Sequence, residues 1–95
     1  MILYMAYEAA KASDDQADEI HTAVVAAAGK ANVQRALHNV WLIVTDIRPS
    51  EWVDRVEAAL KKGDKLLISR LQRGTAGLNV NAATTWIAEH REDFT

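Results

Sequence analysis

A chain of 95 residues with a net charge of −2 and no cysteine is expected to be one domain, residues 1–95, in a reducing, cytoplasmic setting, without disulfides or thiolate metal sites. The near-neutral balance excludes a broadly cationic DNA-coating surface, so any nucleic-acid role must rest on a local patch or on metal ions. No apolar run approaches the roughly 20 residues of a membrane helix, and the first apolar run lacks the basic lead of a signal peptide.

Ile2 to Tyr7 is apolar on both faces, the pattern of a central strand covered on both sides. It runs into Glu8. The polar stretch Lys11 to Asp15 offers caps in Ser13, Asp14 and Asp15. Ala17, Ile20, Val24 and Ala28 then recur at the spacing of one helical face, which predicts a helix over 15–28 stopped by Gly29. Residues 32–37 alternate, with Val33, Arg35 and Leu37 set against Gln34 and Ala36, as an edge strand does. His38-Asn39 suits a tight hairpin turn. Val40 to Thr45 is the strongest strand signal, rich in β-branched and aromatic residues.

Ser50 reads as the cap of a second helix, with Trp52, Val53, Val56, Ala59 and Leu60 as its stripe. Lys61 and Lys62 complement its negative end and Gly63 stops it. Lys65 to Leu71 is a fourth strand, broken by Gly74 and Gly77. Asn81 is placed to cap a last helix over 82–90, anchored by Trp86 and Ile87. The order is β-α-β-β-α-β plus a C-terminal helix, which predicts an α+β, ferredoxin-like βαββαβ sandwich. Two right-handed crossovers put the first and third strands side by side in the centre. Their composition, the most apolar in the chain, agrees.

In that fold the helices cover one sheet face. Here both faces are apolar: Leu3, Met5 and Tyr7 against Ile2 and Tyr4; Leu42 and Val44 against Trp41 and Ile43; Leu66 and Ile68 against Leu67 and Leu71. The preferred expectation is a homodimer packed through the sheets. The competing one is that residues 78–87 fold back over the open face.

The segments VWLIVTD, PSEWVDRVEAALKKGDKLLISRLQRGTAGLN and TTWIAEH, with Trp41, Thr45, the Asp64 step, Gly74 to Gly77 and Trp86 in order, resemble the SinR-like branch of the small CRISPR-associated protein family, whose members include an adaptor subunit of the CRISPR integration complex. Ribonuclease toxins of the VapD type share the fold. The resemblance covers residues 40–90 and, more weakly, 1–7. It implies a ferredoxin-like homodimer handling RNA or DNA. In nuclease members an aspartate after a Tyr ends the first strand and two copies share a divalent metal. The matching residue here is Glu8, the candidate catalytic group and Mg²⁺ ligand. Its extra methylene displaces the carboxylate, which argues against nuclease activity.

Other candidates are weaker. Asp14 and Asp15 are candidates to join Glu8 as Mg²⁺ ligands, with helix capping the favoured reading for both. Asp46 ends the third strand, which should run antiparallel to the first, so Glu8 and Asp46 fall at opposite ends of the sheet. Arg70 and Arg73 are candidate phosphate contacts, or an exposed strand end. His21, His38 and His90 have no zinc spacing; His21 sits beside the apolar stripe of the first helix and reads as a residue on the boundary of that stripe. Gly74-Thr75-Ala76-Gly77 lacks the lysine and following helix of a phosphate loop and reads as a turn. Tyr4, Tyr7 and Trp41 sit where RNA-stacking aromatics would, but without the accompanying basic-aromatic pattern they read as core or interface. The alternative to a nucleic-acid role is a non-catalytic homodimeric interaction module using its apolar sheet face.

Overall fold

The computed structural model describes residues 1–11, 14–75, 77 and 80–94, and of Asp14 only the backbone. The expectations on Ser13, Ala76 and Leu78, and on the Asp14 side chain, lie outside the described residues. The elements are β1 (Ile2–Glu8), α1 (Asp14–Ala28), β2 (Val33–Leu37), β3 (Val40–Val44), α2 (Pro49–Val56), β4 (Lys65–Arg70) and α3 (Asn81–Glu89), with short 3₁₀ turns after α1, α2 and α3. The protein is α+β. Its four strands form one sheet in the order β2-β3-β1-β4, every neighbouring pair antiparallel.

The two most apolar strands therefore lie in the centre, as their composition demands: a central strand has no face or edge in water. β1 pairs with β3 from Ile2 opposite Val44 to Ala6 opposite Val40. It pairs with β4 from Leu3 opposite Arg70 to Glu8 opposite Lys65. Glu8 and Asp46 are thus at opposite ends of the sheet, as antiparallel pairing requires.

One face carries Leu3, Met5 and Tyr7 of β1 with Trp41 and Ile43 of β3. It is closed by two helices, through Ala17, Ile20 and Val24 of α1 and Trp52 and Val56 of α2. Trp41 and Trp52 are fully buried. Burying side chains of this size contributes about 1.5–3 kcal/mol each, so this is the principal core. The other face carries Ile2, Tyr4, Leu42, Val44 and Ala36, and is covered by Val80, Ala83, Trp86 and Ile87 of the C-terminal segment together with Leu71 and Phe94. The C-terminal helix folds back over the chain's own sheet, so the second face is not left wholly to a partner.

Four sequence expectations are corrected. Arg48, not Ser50, holds the N-cap position of α2, and Pro49 occupies the first turn, where its fixed φ suits a helix and its missing N–H is not required. α2 ends at Val56 and passes into a 3₁₀ turn, Glu57–Ala59. Gly63, at φ 87°, therefore belongs to the turn before β4 rather than to the helix end. Asn81 is the first residue of α3, and Val80 holds the cap position.

The fourth correction matters most. β2 does not alternate evenly: Arg35 pairs with Trp41 and Leu37 with Val40, so Ala36 is an extra residue in a bulge. Arg35 keeps the face of Trp41. Leu37 shares the face of Val40, opposite to the side on which an even alternation would place it.

Candidate interaction surface

The register locates a single cross-strand row. Leu37 of β2 faces Val40 of β3, Val40 faces Ala6 of β1, and Ala6 faces Leu67 of β4. Directly opposed residues in a sheet point to the same side, so all four project from the face that α3 occupies. α3 covers the parallel rows towards Ile2, Leu42 and Val44. It does not cover this one: Leu67 is 64% and Leu37 53% exposed. Small residues, Ala6 and Val40, sit between the two leucines. The row is a saddle crossing the whole sheet, about 14 Å from end to end at the usual strand spacing. Between the sheet and α3 lies an open apolar cleft of about 310 Å³, lined by Leu37 and Val40 of the row itself together with Tyr4, Leu42, Ala83 and Ile87.

Glu8 comes next along the same face. Its carboxylate is exposed and stands 4.0 Å from the Lys65 ammonium, in a shallow recess with Asn39 and Leu67. An exposed pair at that distance adds little to stability. Among the described residues, no three acidic or histidine side chains gather to hold a metal ion, and the register keeps Asp46 at the far end of the sheet from Glu8. Arg70 lies opposite Leu3, about 17 Å along β1 from Glu8 at the rise of a strand. Arg73 donates to the Phe94 carbonyl at 3.2 Å, and Arg70 also has an interaction partner. The structure therefore does not bring Glu8 together with Arg70 and Arg73 in one subunit.

Two polar centres escaped the sequence reading. Asp64 joins the loops at the Glu8 end of the sheet. Its carboxylate accepts from the Tyr7 hydroxyl at 2.8 Å, the Ala10 backbone N–H at 2.9 Å and the Lys61 backbone N–H at 2.9 Å. Those donors favour the charged form and hold the Asp64 carboxyl below its ordinary range, the Ala10 N–H most of all. Burial, then the hydrogen bond to Asp64 and its charge, push the Tyr7 phenol up to about 12. The only sequence signal was the position of Asp64, in a Gly-Asp step ahead of a strand.

The second centre lies on the α1 face. The buried Trp41 indole N–H donates to His21 Nδ1 at 2.9 Å, and the Arg35 guanidinium lies 5.3 Å from the Trp41 ring. Arg35 also pairs with Asp18 at 2.9 Å and donates to the His38 carbonyl at 2.8 Å. His21 is half-buried beside the apolar stripe of α1, as expected, but it has a specific task, accepting from a buried donor. Arg35, Asp18 and His38 fasten the edge strand to α1 and to its own turn.

No helix among the described residues is long and apolar enough to cross a membrane. Compared with models of protein families and with curated proteins, the chain matches none.

Proposed function

We propose that the protein is a non-catalytic, homodimeric interaction module of ferredoxin-like architecture, docking through the uncovered part of its α3-side sheet face. The observation that carries this reading is the Leu37–Val40–Ala6–Leu67 row. Among the described residues, it exposes two of the three large apolar side chains that stand out from the surface, the third being Val53 on α2. Both leucines lie on one face next to an apolar cleft, and clustered exposure of this kind marks an interaction site. The ferredoxin-like assignment is supported by the element order and by the central position of β1 and β3.

Sedimentation velocity over a range of concentrations tests the proposal. The wild type is expected to dimerise, and Leu37→Glu and Leu67→Glu to dissociate the dimer. Val53→Glu, exposed on α2 away from this face, is expected to leave it intact. A wild-type chain that stays monomeric at high micromolar concentration would remove the homodimer.

A second reading is favoured by one observation: Glu8 is exposed at the end of β1 on the same face as the docking row. Here the chain is a nucleic-acid-related homodimer like the SinR-like proteins, with the Glu8 carboxylates of two copies holding Mg²⁺ and with Arg70 and Arg73 contacting phosphate. A Mg²⁺-dependent RNase assay on wild type and Glu8→Ala decides it. Equal cleavage by the two proteins takes Glu8 out of the mechanism, and no cleavage by wild type ends the nuclease reading.

A further inference from the structure

Gln16 lies in the first turn of α1, among the buried positions that include Ala17 and Ile20. It is 7% exposed and, among the described residues, the one polar side chain in the interior. Its Oε1 is closed to water and accepts no hydrogen bond. Buried polar atoms are nearly always paired, and an acceptor without a donor is destabilising. A methionine of similar length would fill the same space without that cost.

The Gln16 side chain borders a cleft of about 380 Å³ that also takes in Ala10, Lys11, Lys61, Lys62 and Asp64. Small-molecule sites begin at about 300 Å³. Lys11 comes from the chain ahead of α1, and Lys61 and Lys62 from the connection into β4. The Asp64 carboxylate holds those two stretches together through the Ala10 and Lys61 backbone N–H groups, and it also accepts from the Tyr7 hydroxyl. The charge of the lining is one-sided: three lysines against one aspartate leave an excess of two positive charges. Among the described residues none of these three lysines is in an ion pair, whereas Lys65 stands against Glu8.

An occupant of this cleft meets two demands at once. The lysines call for negative charge, and ammonium groups bind oxyanions, phosphate among them. The Gln16 carbonyl calls for a donor. A carboxylate or a sulfate ion answers the first demand and not the second. A neutral polyol answers the second and not the first.

We propose that the cleft binds an oxyanion that brings its own O–H, either hydrogen phosphate or a small phosphate ester with a neighbouring hydroxyl. Lys11, Lys61 and Lys62 hold the charge, and Gln16 Oε1 accepts from the hydroxyl. Every group comes from one chain, so the site is independent of the homodimeric reading.

The experiment is a titration followed by nitrogen-15 NMR at pH 8 and constant ionic strength, with inorganic phosphate, glycerol phosphate, methyl phosphate and sulfate. All four are mainly dianions there, the esters having lost their second proton near pH 6, but only the first two carry an O–H. Those two are expected to shift the Gln16 side-chain amide and the Lys11 and Lys61 backbone amides. They should bind about tenfold more tightly than methyl phosphate and sulfate, the contribution of one buried hydrogen bond. Tighter binding of glycerol phosphate assigns the rest of the cleft to an ester group, and tighter binding of inorganic phosphate assigns the site to the free ion. Gln16→Met is expected to bring all four anions to a common affinity. Lys62→Ala is expected to weaken all four alike and to keep the ratio. Lys62 is exposed, so this variant and the wild-type ratio carry the test even where circular dichroism shows Gln16→Met unfolded. Four equal affinities in the wild type, shifts confined to other parts of the surface, or a ratio that survives in folded Gln16→Met overturn the proposal.

Discussion

The Tyr7 hydroxyl donates a 2.8 Å hydrogen bond to the carboxylate of Asp64, a residue 57 positions further along the chain. The same carboxylate accepts from the backbone N–H groups of Ala10 and Lys61. One side chain therefore ties the exit of β1 to the entry of β4, beside the recess that holds Glu8.

This arrangement sets a pH dependence at both extremes. The Asp64 carboxyl is held below its ordinary value. Its contribution is present above the unfolded-state value of about 3.9 and is lost as pH falls below it through the folded value. The Tyr7 phenol is raised to about 12, so its contribution is present below the unfolded value of about 10 and is lost as pH rises from there towards 12. Urea midpoints measured from pH 2 to 12 should decline at both ends. Tyr7→Phe should flatten the alkaline limb, and absorbance at 295 nm should place the Tyr7 phenolate well after that of Tyr4. An unchanged alkaline limb in Tyr7→Phe contradicts the assignment.

How far the sequence carries the fold is visible at particular residues. β1 and β3 were legible because a run that is apolar on both faces fits a central strand and little else. The α1 stripe was legible because a period of 3.6 repeats over four turns. The α2 cap was misplaced because Pro49 and Ser50 both suit a helix start, and only the backbone decides between them. Asp64 and His21 were invisible as centres: their partners, Tyr7, Ala10 and Trp41, come from distant positions, and nothing local announces a pairing made by tertiary contact. The apolar second face was legible, but its division into a half covered by α3 and a bare row was not. That division depends on the Ala36 bulge, and the local pattern Val33, Arg35, Leu37 looks evenly alternating.

Gly63 should be far less replaceable than Gly74. Both have left-handed backbones, φ 87° and 86°, which cost a side-chain-bearing residue roughly 1–2 kcal/mol. A Cβ on Gly63 would also lie 3.0 Å from the Ala10 Cβ, within the loop pair that Asp64 clamps, whereas one on Gly74 meets nothing within 4 Å. Gly74→Ala should lose only the backbone contribution and Gly63→Ala distinctly more, read from urea midpoints. Equal losses would show that the loop pair gives way freely.

The Trp41 indole has no access to water, so its N–H depends on His21 Nδ1. His21→Leu leaves that donor unpaired and should destabilise the protein by about 1–3 kcal/mol. His21→Gln, whose side-chain oxygen can accept from the indole, should recover part of the loss. The indole N–H resonance of Trp41 in a nitrogen-15 spectrum reports the bond directly. Identical stability for the Leu and Gln variants would mean that His21 acts by packing alone.

Deleting a residue from a strand ordinarily turns every following side chain to the other face. Deletion of Ala36 should not. The bulge already sets Arg35 with Trp41 and Leu37 with Val40, on opposite faces, as two adjacent residues of a regular strand would be. Removing Ala36 closes the ladder with both partners in place, and the loss is confined to the contact of Ala36 with the α3 cluster. Deletion of Gln34 has no such escape: it forces Val33 away from Ile43 or breaks the Arg35 attachment to Trp41 and Asp18. Thermal unfolding should leave the Ala36 deletion cooperative, with a modestly lower Tm and with Leu37 still on the face of Val40. The Gln34 deletion should lose cooperative unfolding or most of its stability. If the two deletions behave alike, the bulge is not what places Leu37 on the face of Val40.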